Sequence, residues 1–236
     1  MSKVMLIGDS HGNYGFLVQA LEAAVTAECD LAISLGDFGF WPQNPQAKGK
    51  RFDNKVKKVA QTLEIPLWVI DGNHDFPGAV RGDGGYRWVT DVDGDFQHVS
   101  RGSVRDIDGV RFGFMGGAVS IDRGGRTLDR SYWVEEMVTE DDVERAVENG
   151  LVDVWLTHDA VGVPPVLEPR VWKRDLEYDL RVQRERMQEV FNALKPRLHV
   201  HGHFHVRYSA PTPYGAVVGL GCENSSALYL IDTEDF

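Results

Sequence analysis

Val4-Met5-Leu6-Ile7-Gly8-Asp9-Ser10-His11-Gly12 is the stretch on which the reading of this chain turns. Its first four residues form a short apolar run of the kind that folds as a buried strand. Directly beyond it stand a carboxylate and an imidazole two residues apart, a spacing that puts both on one side of an extended segment. The arrangement recurs outward along the chain. Leu31–Leu35 leads into Gly36-Asp37, and Leu67–Ile70 into Gly72-Asn73-His74-Asp75. Val152–Leu156 leads into Thr157-His158-Asp159, and Leu198–Val200 into His201-Gly202-His203-Phe204-His205. Metal-competent side chains therefore gather where strands end, which is where α/β sheets build their sites.

The segments between these runs carry helical spacing. Phe16, Leu17, Ala20, Leu21, Ala24 and Val25 place a helix from Tyr14 to about Glu28. Further helices are expected at about Arg51–Leu63, at Thr139–Glu148, where Thr139 and Asp142 approximate a capping box, and at about Leu176–Leu194 before Pro196. Asp108-Gly109 should close a hairpin of Gly102–Ile107 on Val110–Met115. Two late strands are expected at Ala216–Leu220 and Ala227–Ile231. Gly- and Pro-rich segments near 77–95, 120–138 and 160–176 read as irregular insertions. The expectation is one domain over residues 1–236, an α/β sandwich of two packed mixed β-sheets flanked by helices.

Composition narrows the function classes. A chain of 236 residues with a net charge of −11 disfavours a long nucleic-acid footprint. No segment reaches the roughly 18 apolar residues of a membrane span, and residues 1–8 are too short for a signal peptide. Cys29 and Cys222 form no CxxC and no disulfide framework, so a cytoplasmic location is expected, host cytoplasm if the gene is carried by a phage.

Carboxylates, imidazoles and one amide oxygen suit Mn, Fe, Zn, Ni or Co rather than thiol-seeking ions. Asp37, alone at its strand end, has two oxygens with which to bridge a pair of cations, and Asn73 adds a neutral oxygen. Two metals about 3.5–4 Å apart would clamp a phosphoryl oxygen and acidify a water. His74 stands beside Asn73, placed to donate a proton to a leaving oxygen or to steady transition-state charge, and Asp75 can orient its imidazole.

In this order D-x-H-G, G-D, G-N-H-D, a strand-end His and G-H-x-H resemble the calcineurin-like metallophosphoesterase superfamily, over nearly the whole chain. The resemblance implies one metal on Asp9, His11, Asp37 and His205 and a second on Asp37, Asn73, His158 and His203, with Mn²⁺ favoured and Fe, Zn, Ni or Co as alternatives. It implies an active hydrolase, since every ligand position is filled, and leaves His201 outside the ligand set. The phosphoprotein phosphatases of the superfamily carry G-D-x-x-D-R-G and G-N-H-E. Here Gly36-Asp37 runs into Phe38-Gly39-Phe40-Trp41, and the third motif ends in Asp75.

Gly116–Arg123 and Ser131–Glu136 resemble small bacterial and actinobacteriophage metallophosphoesterases. That resemblance implies hydrolysis of phosphodiesters, 2′,3′-cyclic nucleotides among them, with a small nucleotide diester as the partner. Competing readings are a phosphomonoesterase or protein phosphatase, and a non-catalytic scaffold that keeps the fold. Phe38 and Trp41 are candidates to stack a nucleobase. Arg123 and Arg126 are candidates to fork onto phosphate oxygens. His98 and His199 read as surface or core histidines.

Overall fold

Both faces of the apolar runs are buried, and that explains the layering. In the computed structural model, which describes residues 1–41, 52–77, 96–162, 164, 174–223 and 225–236, alternate residues of strand β1 (Lys3–Ile7) serve two different cores. Val4 and Leu6 point into the seam between two sheets, while Met5 and Ile7 point outward against helices. Strands of a mostly parallel sheet read as continuous apolar runs for this reason.

The first sheet has the order β11-β1-β2-β3-β4, from β2 (Leu31–Ser34), β3 (Leu67–Val69), β4 (Phe96–His98) and β11 (Leu228–Asp232). Only β11 runs antiparallel to its neighbour. The second has the order β5-β6-β7-β8-β10-β9, from β5 (Val104–Ile107), β6 (Val110–Met115), β7 (Val154–Thr157), β8 (Leu198–His201), β9 (Tyr208–Pro211) and β10 (Ala216–Gly219). Here the edges β5 and β9 are antiparallel and the inner four strands parallel. Ile33, Leu35, Phe112, Phe114, Leu156, Val200 and Ile231 fill the seam.

Helices α1 (Tyr14–Thr26) and α2 (Phe52–Thr62) cover the first sheet through Leu17, Leu21, Phe52 and Val56. Helices α3 (Glu140–Glu148) and α4 (Arg174–Leu194) cover the second through Val143, Met187, Val190 and Phe191, which close over Trp155. The chain thus forms the expected α/β sandwich of two mixed sheets with outer helices. Among the described residues, no helix is long and apolar enough to cross a membrane.

Local chemistry accounts for the boundaries. The Asn13 side chain accepts from the Phe16 N–H to start α1, and Thr139 and Asp142 form the capping box of α3. Asp108 and Gly109 both take positive φ, 55° and 84°, as the tight β5–β6 turn requires. Strands β4 and β9 go beyond the sequence expectation. The insertion at 120–138 contains two short 3₁₀ turns, Arg123–Gly125 and Val134–Glu136. The expected insertion at 77–95 lies almost wholly outside the described residues, as does much of 160–176, where α4 already begins at Arg174.

One buried ion pair ties the 120–138 strap to the sandwich. Arg101 grips Asp71 with Nη2 at 2.5 Å and Nε at 3.0 Å, and donates to the carbonyls of Glu135, Glu136 and Met137. Burial alone would raise the Asp71 carboxyl, but Arg101, with His98 3.3 Å away, holds it below the ordinary carboxylate range. Arg101→Ala would take the arginine from that carboxylate, leaving His98 beside it, and withdraw a donor from three carbonyls. A loss of about 3–5 kcal/mol is expected, read as a fall in Tm on the order of 10 °C in thermal unfolding.

Candidate metal centre

All five sequence clusters fall at one rim of the sandwich, at the carboxyl ends of β1, β2, β3, β7 and β8. Backbone geometry aims the side chains inward. His11, Asp37, His203 and His205 take positive φ, 44°, 47°, 66° and 55°, a conformation that non-glycine residues hold only where the surroundings impose it. Two glycines make room. A Cβ on Gly36, itself at φ 98°, would lie 2.7 Å from His158 Cγ. A Cβ on Gly72 would collide with the Asp37 carboxylate.

Asp9, His11, Asp37 and His205 each present a donor atom, and these atoms lie within 4.8 Å of one another. His11 Nε2 is 3.4 Å from Asp37 Oδ2, and His205 Nε2 is 3.0 Å from Asp9 Oδ2. A second group shares Asp37. His158 Nε2 lies 3.4 Å from Asp37 Oδ1 and 3.1 Å from Asn73 Oδ1, with the His203 ring 5.2 Å from that of His158. The two sheets are stitched together here. His158 Nδ1 lies 2.7 Å from the Leu35 carbonyl, and the His203 N–H donates to both Asp9 oxygens at 3.1 Å.

Carboxylates at this rim favour positive charge on His11 and His158. Burial opposes a charged His11, yet Asp37, Glu223 and Asp9 push its pKa up to about 10. Burial opposes a charged His158 as well, and Asp37 and Asp9 still raise it. Burial would raise Asp37, but His74, His158 and His11 hold it well below the carboxylate range. The same carboxylates attract a cation, which would displace the protons from these rings on binding. The donor types fit divalent ions, and Asp9, His11, Asp37 and His205 form a candidate metal site.

Of the remaining sequence candidates, His74 lies at the site. Its N–H donates to Asp37 Oδ1 at 2.8 Å, its Nε2 is 3.8 Å from Asp37 Oδ2, and burial lowers its pKa. Arg126 reaches it, with Nη2 3.1 Å from His74 Nδ1 and in close contact with Nε2. The same Nη2 is 2.7 Å from Asp122 Oδ2.

Two expectations are corrected. Asp75 does not orient the His74 ring: its two oxygens accept the N–H groups of Phe38, Gly39, Phe40 and Gly72 at 2.9–3.1 Å. It thereby clamps the turn that presents Asp37. Phe38 is wholly buried against Phe40, Phe52 and Phe96, so it belongs to the core and presents no face to a base. Arg123 Nη1 donates to Asp179 Oδ2 of α4 at 2.5 Å. Trp41 is half-buried at the margin of the described residues. His199 and His201 are buried on Thr157 and Tyr208, and His98 is half-buried beside Asp71.

Glu223 was not foreseen. Its Oε2 lies 2.9 Å from His11 Nδ1 and its N–H donates to the Asp9 carbonyl, which fixes the His11 ring. The available signal was a sixth strand end, Gly221-Cys222-Glu223 after β10.

Strand-end carboxylates and imidazoles gathered at one rim make a candidate site for divalent metal. The family model of the calcineurin-like phosphoesterases matches residues 2–207, and the chain belongs to that family. Members hold a dinuclear divalent metal centre. Comparison with curated proteins finds no match.

Solved structures are similar in fold at low identity. The protein TT1561 of Thermus thermophilus has a TM-score of 0.61 at 12% identity, covering 98% of each chain. A dimetal phosphatase from Danio rerio has a TM-score of 0.57 at 13% identity, covering 97% of this chain and 91% of that one. An archaeal phosphodiesterase has a TM-score of 0.50 at 16% identity, covering 99% of this chain and 94% of that one.

Proposed function

We propose that the protein hydrolyses small phosphodiesters, 2′,3′-cyclic nucleotides or related nucleotide diesters, with two divalent cations, Mn²⁺ favoured. The observation that carries the reading is the pair of donor groups meeting at Asp37, with His74 and Arg126 beside them. Asp9, His11, Asp37 and His205 would hold one cation, and Asp37, Asn73, His158 and His203 the other. When bound, such a pair lowers the pKa of an attacking water and neutralises charge on the phosphoryl oxygens.

The chain's own residues supply the rest. His74 offers an N–H toward the leaving oxygen. Arg126 grips a non-bridging oxygen while its second nitrogen stays on Ser131 O at 3.1 Å. Asp75 holds the 38–40 turn that presents Asp37.

The preference for a diester is supported by charge. Arg126 shares its guanidinium with Asp122, which suits a singly charged phosphodiester better than a dianionic monoester. Phe40-Trp41-Pro42 stands where the phosphoprotein phosphatases carry their Asp-Arg-Gly turn. A net charge of −11 supports a small substrate over a long nucleic acid. The unpaired thiols of Cys29 and Cys222 suit the proposed cytoplasmic location.

The test is a hydrolysis panel on metal-stripped protein with defined metals added back. Stripped protein should be inactive, and Mn²⁺ should restore hydrolysis of an aryl diester and of 2′,3′-cyclic nucleotides ahead of an aryl monoester or a phosphopeptide. A rate unchanged by chelation defeats the two-metal reading, and a dominant monoesterase rate defeats the diester preference.

A further inference from the structure

An asparagine can serve a cation only through Oδ1, yet its amide is nearly symmetric in shape, so something must decide which end faces inward. In this fold the decision falls on the strap. Asn73 Nδ2 lies 3.1 Å from Ser120 Oγ, and Ser120 is fully buried. Ser120 Oγ lies 2.8 Å from Glu136 Oε2, while the Ser120 N–H donates to Glu136 Oε1 at 2.6 Å. Glu136 is itself only 2% exposed. The Trp133 N–H at 3.5 Å and the grip of Arg101 on the Glu136 carbonyl at 3.2 Å fix the residue further.

Burial pushes the Glu136 carboxyl up to about 7, and in its ionised form the polarity of this chain of hydrogen bonds is fixed. A serine hydroxyl has one proton and two lone pairs. Its proton goes to the Glu136 carboxylate, so both lone pairs are left to accept. Arg126 Nη1 takes one at 3.4 Å, and the Asn73 amide N–H takes the other. Asn73 must then turn Oδ1 away from the strap, toward His158 Nε2 at 3.1 Å.

We propose that Ser120 and Glu136 are positioning residues that set the Asn73 amide and thereby the affinity of the cation position formed by Asp37, Asn73, His158 and His203. This rests on the reading of Asn73 as a ligand. The strap, outside the five strand-end clusters, thus tunes one of two cation positions and leaves the Asp9, His11 and His205 side alone.

Glu136→Gln is the sharpest probe. It conserves shape, but its amide must donate to Ser120 Oγ, which drives the hydroxyl proton toward Asn73 and favours the flipped amide. Full-length protein, stripped of metal, would be titrated with Mn²⁺ by calorimetry and by the electron paramagnetic resonance of free Mn²⁺. Wild type should take up two ions. In Glu136→Gln, and in Ser120→Ala as an independent removal of the acceptor, the affinity for one ion should fall about 10–100-fold, the other staying within about twofold.

Asn73→Asp supplies the control, because a carboxylate has two equivalent oxygens and needs no choice of end. Adding Glu136→Gln to Asn73→Asp should change neither affinity further, giving a coupling equal to the whole single-variant effect. Wild-type affinities at both positions in Glu136→Gln and Ser120→Ala overturn the proposal. So does an equal loss in the Asn73→Asp background, since the effect would not then pass through the amide. Uptake of a single ion by wild type overturns the dinuclear reading itself, a result distinct from either.

Discussion

Asp37→Ala should empty both cation positions at once and abolish hydrolysis. The carboxylate is almost completely buried, with Oδ2 3.4 Å from His11 Nε2 and Oδ1 3.4 Å from His158 Nε2, so among the described residues it is the side chain that addresses both donor groups. Without it the rim keeps the imidazoles of His11, His74 and His158 but loses the negative charge at their centre, and a divalent ion among them loses its strongest attraction. The loss of rate should exceed the ~10²–10⁴-fold that removal of one general acid costs.

The fold should survive, because the His11 N–H bonds to the Asp37 backbone carbonyl and Asp75 holds the following turn. Metal analysis of the purified variant should find fewer than one bound ion per chain against two in wild type. Asp37→Asn, which keeps the shape, should show the same loss if charge rather than packing is responsible. Anomalous scattering that finds one position full and the other empty would contradict the bridging role.

The legible part of the molecule is the part written locally. Each of the five apolar runs became a strand because its residues are buried on both faces, and each metal-competent cluster followed because the rim is where parallel strands of both sheets end. Strands β4 and β9 escaped for the opposite reason. Phe96–His98 has one fully buried residue and Tyr208–Pro211 none, so each is held as an edge by its neighbour's backbone rather than by its own apolar pattern.

At the site, residue type revealed the donors but not the direction of neighbouring side chains. Asp75 follows His74 in sequence and yet turns to the 38–40 turn, whose N–H donors, with that of Gly72, outcompete one imidazole. Phe38 and Arg123 are of the types that meet nucleotides, and only packing reveals that one is core and the other is tied to Asp179. Glu223 lies 212 residues from His11, and Glu136 reaches Asn73 only through Ser120. Such supporting contacts have no spacing of their own, since the fold alone creates them.

The second large effect is expected at His74, and the leaving group is the variable that exposes its role. Its ring lies between Asp37 and Arg126, its side chain about one-third exposed at 34%, while its backbone N–H is fixed on Asp37 Oδ1. An imidazole so held can reach a departing oxygen without belonging to either donor group. His74→Ala should therefore keep both bound ions, which metal analysis would verify. On a diester with an alkoxide leaving group, such as a 2′,3′-cyclic nucleotide, kcat should fall ~10²–10⁴-fold.

On an aryl diester the loss should be under about 10-fold, because a phenolate departs without a proton and has little to gain from an acid. The contrast between the two substrates separates the possible roles. Equal losses on both would recast His74 as a stabiliser of phosphoryl charge, acting in every transition state alike. Loss of an ion along with the rate would make it a ligand, and the neighbouring Arg126 would then be the nearest candidate to meet the substrate.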